Sequence, residues 1–119
     1  MYTYWNYHIN QTNYYEKYIL FIEDHESFGG VDYISAMLTA VEQDWFMDQV
    51  TGVIFGNYSD TEHPELLARL KRMGEAHNIP VVYCDDFGHG SNHAILPIGR
   101  KAKLDTREKK LKYSSCKFK

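Results

Sequence analysis

The sequence has few cysteines, which could form disulfides, and few prolines, which are common in linkers between domains. It contains two cysteines, Cys84 and Cys116, and three prolines in 119 residues. Two thiols form no disulfide framework, so we expect both to be free. No apolar run approaches the roughly 18 to 20 residues that span a bilayer, and no membrane partner is expected. The first residues lack the basic start and apolar middle of a secretory signal, which makes a cytoplasmic location the default expectation.

Positive charge is scarce except near the end of the chain. Residues 100–119 carry nine Lys or Arg against two acids, whereas residues 1–99 carry four against fourteen. The lysines of this basic segment alternate with apolar residues at the period of a half-buried strand. The alternating residues are Lys101, Ala102, Lys103, Leu104, Lys110, Leu111 and Lys112. This pattern favours a solvated hairpin over a nucleic-acid site, and we expect no nucleic-acid partner.

The length predicts one domain with a modest core. Residues 1–17 are rich in Tyr and Asn without a clear period, and we interpret them as an irregular leader before a domain over residues 18–119. Strands are predicted at Tyr18–Ile22, Val50–Phe55 and Ile79–Cys84, because these runs are apolar and rich in β-branched or aromatic residues. Residues 95–114 are predicted to form a β-rich end.

Two helices are predicted between the strands. An apolar stripe at helical spacing predicts a helix of about four turns from Val31 to Trp45, and a second helix runs from Pro64 to about His77. The fold class is therefore α/β, with a small parallel β-α-β-α-β core and a β-rich C-terminal hairpin. Because loops that follow parallel strands gather at one edge, Glu23, Ser59 and His89 are expected to converge there.

His89 lies between two glycines directly after a predicted strand. Loops after buried strands commonly hold catalytic imidazoles, and glycine allows a sharp turn or the close approach of a substrate. The alternative is a loop histidine that only stabilises a turn. A metal site formed by Cys84, Asp85, Asp86 and His89 with His63 or His93 is disfavoured, because the spacing matches no zinc pattern.

Three ordered blocks carry a family resemblance: Ile19–Asp24 (ILFIED), Thr51–Asp60 (TGVIFGNYSD), and Phe87–Gly90 (FGHG) followed by Leu96–Gly99 (LPIG). Together they resemble the C-terminal domain of the serine-type L,D-carboxypeptidases, the family that also holds the microcin C immunity peptidases. The resemblance covers roughly residues 18–113. It implies a metal-independent and cofactor-free Ser-Glu-His triad in which Glu23 and His89 are the catalytic residues of this chain.

The resemblance also implies that the nucleophilic serine lies in a separate N-terminal domain, and no room for such a domain precedes residue 18. In the implied chemistry His89 takes the proton of a serine hydroxyl, and Glu23 orients the imidazole. Asp24 or Glu26 would replace Glu23 if the strand ended one residue later. Ser59 also follows a strand in a Ser-Asp pair, but the resemblance and ordinary turn chemistry both disfavour it as the nucleophile.

Three functions remain open at this stage. The first is the Glu/His half of a carboxypeptidase that cleaves a short, murein-type peptide with help from a separate nucleophile-bearing domain. The second is part of a microcin-type immunity peptidase, which shares the triad and differs in its substrate. The third is a non-catalytic binding module. A domain that normally packs against a partner exposes apolar surface when alone, so a homodimer is a further expectation.

Overall fold

The computed structural model describes residues 17–88 and 102–113. Its centre is a parallel sheet of three strands in the order β1 (Tyr18–Ile22), β2 (Val50–Asn57) and β3 (Val81–Gly88). Helix α1 (Val31–Glu42) and a 3-10 helix (Trp45–Gln49) connect β1 to β2, and helix α2 (Pro64–His77) connects β2 to β3. Strands β4 (Ala102–Asp105) and β5 (Lys110–Tyr113) form an antiparallel hairpin. The predicted α/β fold class is confirmed.

The strand order places both helices on one face of the sheet, because right-handed crossovers between neighbouring parallel strands pass over the same face. On that face apolar side chains of both helices pack against those of the strands. The packed residues include Leu20, Ile22, Ile34, Leu38, Val53, Phe55, Leu66, Leu70 and Met73. Strand β2 lies in the centre, which explains its nearly unbroken apolar sequence and its burial from Gly52 to Ser59.

Helix α1 is shorter than predicted. It ends at Glu42, and Trp45 begins a separate 3-10 helix. The side chain of Asp44 accepts a hydrogen bond from the Phe46 backbone N–H at 3.2 Å and so starts the new helix. Phe46 and Met47 enter the core in place of Trp45, which stays 36% exposed.

The strands that lead to the carboxyl edge are longer than predicted. Strand β2 continues through Gly56 and Asn57, and β3 continues to Gly88, both beyond the point where loops were expected. Strand β3 also begins at Val81 instead of Ile79, because the Ile79 N–H bonds to the Gly74 carbonyl and closes the end of α2. Polar residues can therefore extend a strand where a neighbouring strand supplies hydrogen bonds.

Helix α2 matches its predicted limits. Pro64 begins it, and Asn78 ends it in a left-handed conformation with a φ of 52°. The predicted leader, except for Lys17, lies outside the described residues, as do His89, His93 and Cys116. Within residues 17–88 and 102–113, no helix is both long and apolar enough to cross a membrane.

Candidate active site at the carboxyl edge of the sheet

The three parallel strands end side by side at what we call the carboxyl edge. Ile22, the last residue of β1, pairs with Phe55, and Gly88, the last residue of β3, pairs with Asn57. Neighbouring strands lie about 4.8 Å apart, so β1 and β3 are separated by roughly 10 Å across β2. Residues 23–30 (the Glu23 loop) and residues 58–63 (the Ser59 loop) both begin at this edge.

Glu23 directly follows β1, and its side chain is exposed. It makes no hydrogen bond or ion pair within the described part of the chain. An exposed carboxylate at this place is open to a partner that approaches the edge. His89, the other predicted catalytic residue, lies just beyond the described residues, and Gly88 is its described neighbour in sequence.

Asp24 differs from Glu23 by being buried, with 5% of its surface exposed. Its Oδ1 accepts a hydrogen bond from the His25 N–H at 2.8 Å, while its Oδ2 is buried without a partner. The bond to His25 stabilises the turn that follows Glu23. Asp24, the alternative acid weighed from the sequence, is therefore the buried carboxylate of the Glu23 loop, whereas Glu23 lies at its surface.

Tyr58 connects the Glu23 loop to β2 and β3. Its hydroxyl donates to the Gly29 carbonyl at 2.7 Å, and its backbone N–H donates to the Tyr83 hydroxyl at 2.8 Å. Burial raises the pKa of Tyr58 above its ordinary value of 10.0, and the carboxylates of Glu26, Asp24 and Glu65 raise it further. The phenol therefore stays protonated and remains a donor.

Ser59 is buried in the turn that follows β2. Its Oγ accepts a hydrogen bond from the Thr61 N–H at 3.0 Å and lies 3.0 Å from Thr61 Oγ1. This is the turn chemistry expected of serine after a strand, and it agrees with the interpretation that Ser59 is not the nucleophile. His63 Nε2 lies 3.4 Å from Thr61 Oγ1 and 3.2 Å from Glu26 Oε2. The partners of this ring nitrogen are therefore Thr61 and Glu26, and not the Ser59 hydroxyl.

Glu26 joins the two loops. Its N–H donates to the Tyr58 carbonyl at 3.1 Å, and its Oε2 lies 3.2 Å from His63 Nε2. A hydrogen bond from the Ser59 hydroxyl holds the pKa of Glu26 below its usual 4.5; desolvation opposes this effect, and His63 lowers the pKa further. Glu26 is therefore ionised at neutral pH and bound to the Ser59 loop.

An open cavity of about 380 Å³ lies between the Ser59 loop, the start of α2 and β3. Leu66, Leu67 and Tyr83 provide apolar surface, and Asp60, Glu62 and Asp85 provide carboxylates. Such a mixed lining suits a short peptide better than a purely apolar ligand. No group of three or more His, Cys, Asp or Glu side chains among the described residues is arranged to hold a metal ion.

Sequence reasoning missed Tyr58 and Tyr83 as organising residues, and it considered His63 only as a metal ligand. The available signal for His63 was its position directly before Pro64, at the start of a helix and close to a strand end. Its partner Glu26, 37 residues earlier, could be found only through the register of the sheet.

A family model described as the LD-carboxypeptidase C-terminal domain matches residues 3–104 of this chain. The match includes β1 to β3, both helices and most of β4. It also begins inside the segment that the sequence predicted to be a leader, while the domain boundary at residue 18 stays a prediction.

Two further proteins are similar to this chain over part of their length. A protein of Synechocystis sp. (strain PCC 6803) with the provisional name carboxypeptidase slr1534 is 39% identical over 101 residues, covering 76% of this chain and 32% of that protein. The crystal structure of muramoyltetrapeptide carboxypeptidase from Oxalobacter formigenes shares the fold, with a TM-score of 0.65 and 24% identity over 81% of this chain and 35% of that one. The present chain thus spans about a third of either relative.

Proposed function

Because this chain belongs to the family of LD-carboxypeptidase C-terminal domains, we propose that it supplies Glu23 and His89 to a serine-type L,D-carboxypeptidase acting on short murein-type peptides. In this proposal His89 is the general base that takes the proton of a serine hydroxyl as the hydroxyl attacks the amide carbonyl. Glu23 accepts a hydrogen bond from the other ring nitrogen and stabilises the imidazolium that forms. The nucleophilic serine comes from a region outside the part that the chain shares with its relatives.

The observation that carries the proposal is the parallel register at the carboxyl edge. Glu23 follows the end of β1, and His89 follows Gly88, which pairs with the last residue of β2. A separation of roughly 10 Å between the outer strands is compatible with two long side chains that reach toward each other over β2. The exposure of Glu23 and its lack of a partner among the described residues fit a carboxylate that is available to an imidazole.

A chimera tests this function. The third of the Synechocystis protein that matches this chain is replaced by the chain itself, and release of the C-terminal amino acid from a murein tetrapeptide is measured. We expect hydrolysis by the chimera and a loss of about 10²-fold to 10⁴-fold in kcat for His89→Ala and Glu23→Gln, because each removes a group needed for general-base catalysis. Glu75→Gln is the matched control, since Glu75 is also an exposed glutamate but lies in the last part of α2, away from this edge.

Full activity of a folded Glu23→Gln chimera would contradict the assigned role of Glu23. A second assay with a peptidyl-nucleotide in place of the murein peptide tests the microcin-type alternative. If the chimera is folded but cleaves neither substrate, the non-catalytic binding module becomes the better description.

A further inference from the structure

We propose that His63 is a positioning residue that holds the Glu23 loop in place through Glu26. This inference rests on the proposed function, because it assigns His63 a role in presenting the catalytic carboxylate of Glu23. His63 lies outside the predicted triad, and its contacts among the described residues do not include Glu23. Its effect is transmitted through Asp24 and His25, the two residues that separate Glu26 from Glu23.

The contacts between the two loops carry the proposal. Glu26 binds the Ser59 loop through its N–H, which donates to the Tyr58 carbonyl at 3.1 Å, and through its carboxylate, whose Oε2 lies 3.2 Å from His63 Nε2 and which also accepts from the Ser59 hydroxyl. The Glu23 loop is held again at its far end, where the Gly29 carbonyl accepts a hydrogen bond from Tyr58. Between these two points the loop is closed by its own bond from the Phe28 N–H to the His25 carbonyl at 2.9 Å.

His63 is itself held in a defined orientation. Its ring packs edge-on against Tyr58 with centroids 5.1 Å apart, and its Nδ1 lies 3.5 Å from Glu65 Oε1. The preceding turn is stabilised by Ser59, and the His63 carbonyl accepts bonds from the N–H groups of Leu66 and Leu67 in α2. The imidazole therefore links the start of α2 to an exposed part of the Glu23 loop.

The physical consequence concerns the mobility of Glu23. Glu23 is exposed and has no polar partner among the described residues, so its position depends on the backbone that carries it. Small displacements of a catalytic group reduce the rate strongly, because the reacting atoms must be aligned before chemistry occurs. Removal of the His63 imidazole takes away a side-chain contact that ties Glu26, three positions after Glu23, to the Ser59 loop.

Hydrogen exchange of the chain itself tests the structural part of the proposal. We expect His63→Ala to accelerate exchange of the Glu26 N–H about fivefold while the Val53 N–H, bonded to the Pro80 carbonyl in the sheet, is unchanged. His63→Gln should restore the slow rate, since its amide N–H can donate to the Glu26 carboxylate. The matched control is His77→Ala, which removes another histidine paired with a glutamate, at the other end of α2.

Two exchange results would overturn the proposal. One is an unchanged rate for the Glu26 N–H in His63→Ala. The other is equal acceleration of the Leu66 and Leu67 N–H groups, which would show that His63 only stabilises the start of α2.

Kinetics of the chimera test the catalytic part. We expect His63→Ala to lower kcat roughly tenfold with little change in KM, with recovery in His63→Gln and no effect of His77→Ala. An unchanged kcat in a variant whose Glu26 N–H exchanges faster would overturn the positioning role. An inactive unsubstituted chimera would instead contradict the proposed function, and the exchange rates alone would then decide whether His63 holds the loop.

Discussion

Tyr58 shows how single residues organise the carboxyl edge. Its side chain is almost fully buried, and its two hydrogen bonds reach the Glu23 loop through Gly29 and β3 through Tyr83. Burial, together with the nearby acids of this edge, raises the pKa of the phenol and keeps it in its neutral, donating form. A residue with no chemical role in the proposed reaction therefore holds the far end of the loop that carries Glu23.

The substitution Tyr58→Phe tests this role. It removes the donor to the Gly29 carbonyl, and we expect the free energy of unfolding to fall by about 1 to 2 kcal/mol, because a part-buried acceptor loses its hydrogen bond. Tyr33→Phe is the control, since Tyr33 is 52% exposed and should cost less than about 0.5 kcal/mol. Urea denaturation at pH 7 measures both. Equal stability of the two variants would contradict the assignment.

At the scale of elements, a buried polar network joins the two helices. Arg69 of α2 donates to Ser35 at 3.0 Å and to Thr39 at 3.2 Å, both on α1, and it forms an ion pair with Glu42. His77 Nε2 lies 2.8 Å from the second oxygen of Glu42. Burial raises the pKa of Glu42, but the bonds from Arg69 and His77 outweigh it and hold the pKa below 4.5.

Removal of the arginine should destabilise the helix pair. We expect Arg69→Leu to lower the free energy of unfolding by about 3 kcal/mol, because Glu42 keeps its buried position and loses its main cation. Arg72→Leu on the exposed side of the same helix is the control and should have little effect.

The stability of the unsubstituted chain should also fall as the pH drops through the lowered pKa of Glu42. A carboxyl whose pKa is lowered by folding stabilises the folded state above its unfolded pKa of 4.5, and this stabilisation is lost as the pH falls through its folded pKa.

The pH dependence of the unfolding free energy provides a second test of the network. In Arg69→Leu the main cause of the lowered pKa of Glu42 is gone, so the loss of stability between about pH 5 and pH 3 should be smaller than in the unsubstituted chain. Urea midpoints measured across this range give the comparison. An identical pH profile in both proteins would show that the network does not stabilise ionised Glu42.

At the scale of the whole molecule, the sheet is covered differently on its two faces. The helices cover one face, and Leu104 of β4 approaches the other near the amino ends of β2 and β3. Gly52 makes this approach possible, because a Cβ there would lie 3.3 Å from Leu104 Cδ2 and 3.5 Å from Pro80 Cγ. The hairpin therefore contacts the sheet at the end opposite the carboxyl edge.

Gly52→Val should weaken this contact. The added side chain overfills the space beneath Leu104, and we expect a cost of about 1 to 3 kcal/mol together with faster hydrogen exchange in β4 and β5. Gly30→Ala is the control, because a Cβ at Gly30 meets nothing within 4 Å and the backbone there is extended. Unchanged exchange in the hairpin of a folded Gly52→Val variant would contradict the packing argument.

Regular elements were predictable where local patterns decide them. The apolar run of β1, the stripe and proline of α2 and the alternation of the hairpin each led to elements at nearly the predicted residues. Predictions failed where contacts with distant segments determine the limits of an element. Gly56 and Asn57, for example, extend β2 because β3 pairs with them. Trp45 was placed in α1 by its spacing alone, although Asp44 had the side chain to start a new helix.

The sequence by itself determined the α/β fold, the order of its strands along the chain and the family to which the domain belongs, because hydrophobic period and short motifs are local properties. Only the tertiary structure decided that Glu23 is exposed while Asp24 is buried, and that Glu26 meets His63. The physical reason is that burial and hydrogen-bond partners depend on segments far apart in the chain, which meet only when parallel strands align their carboxyl ends.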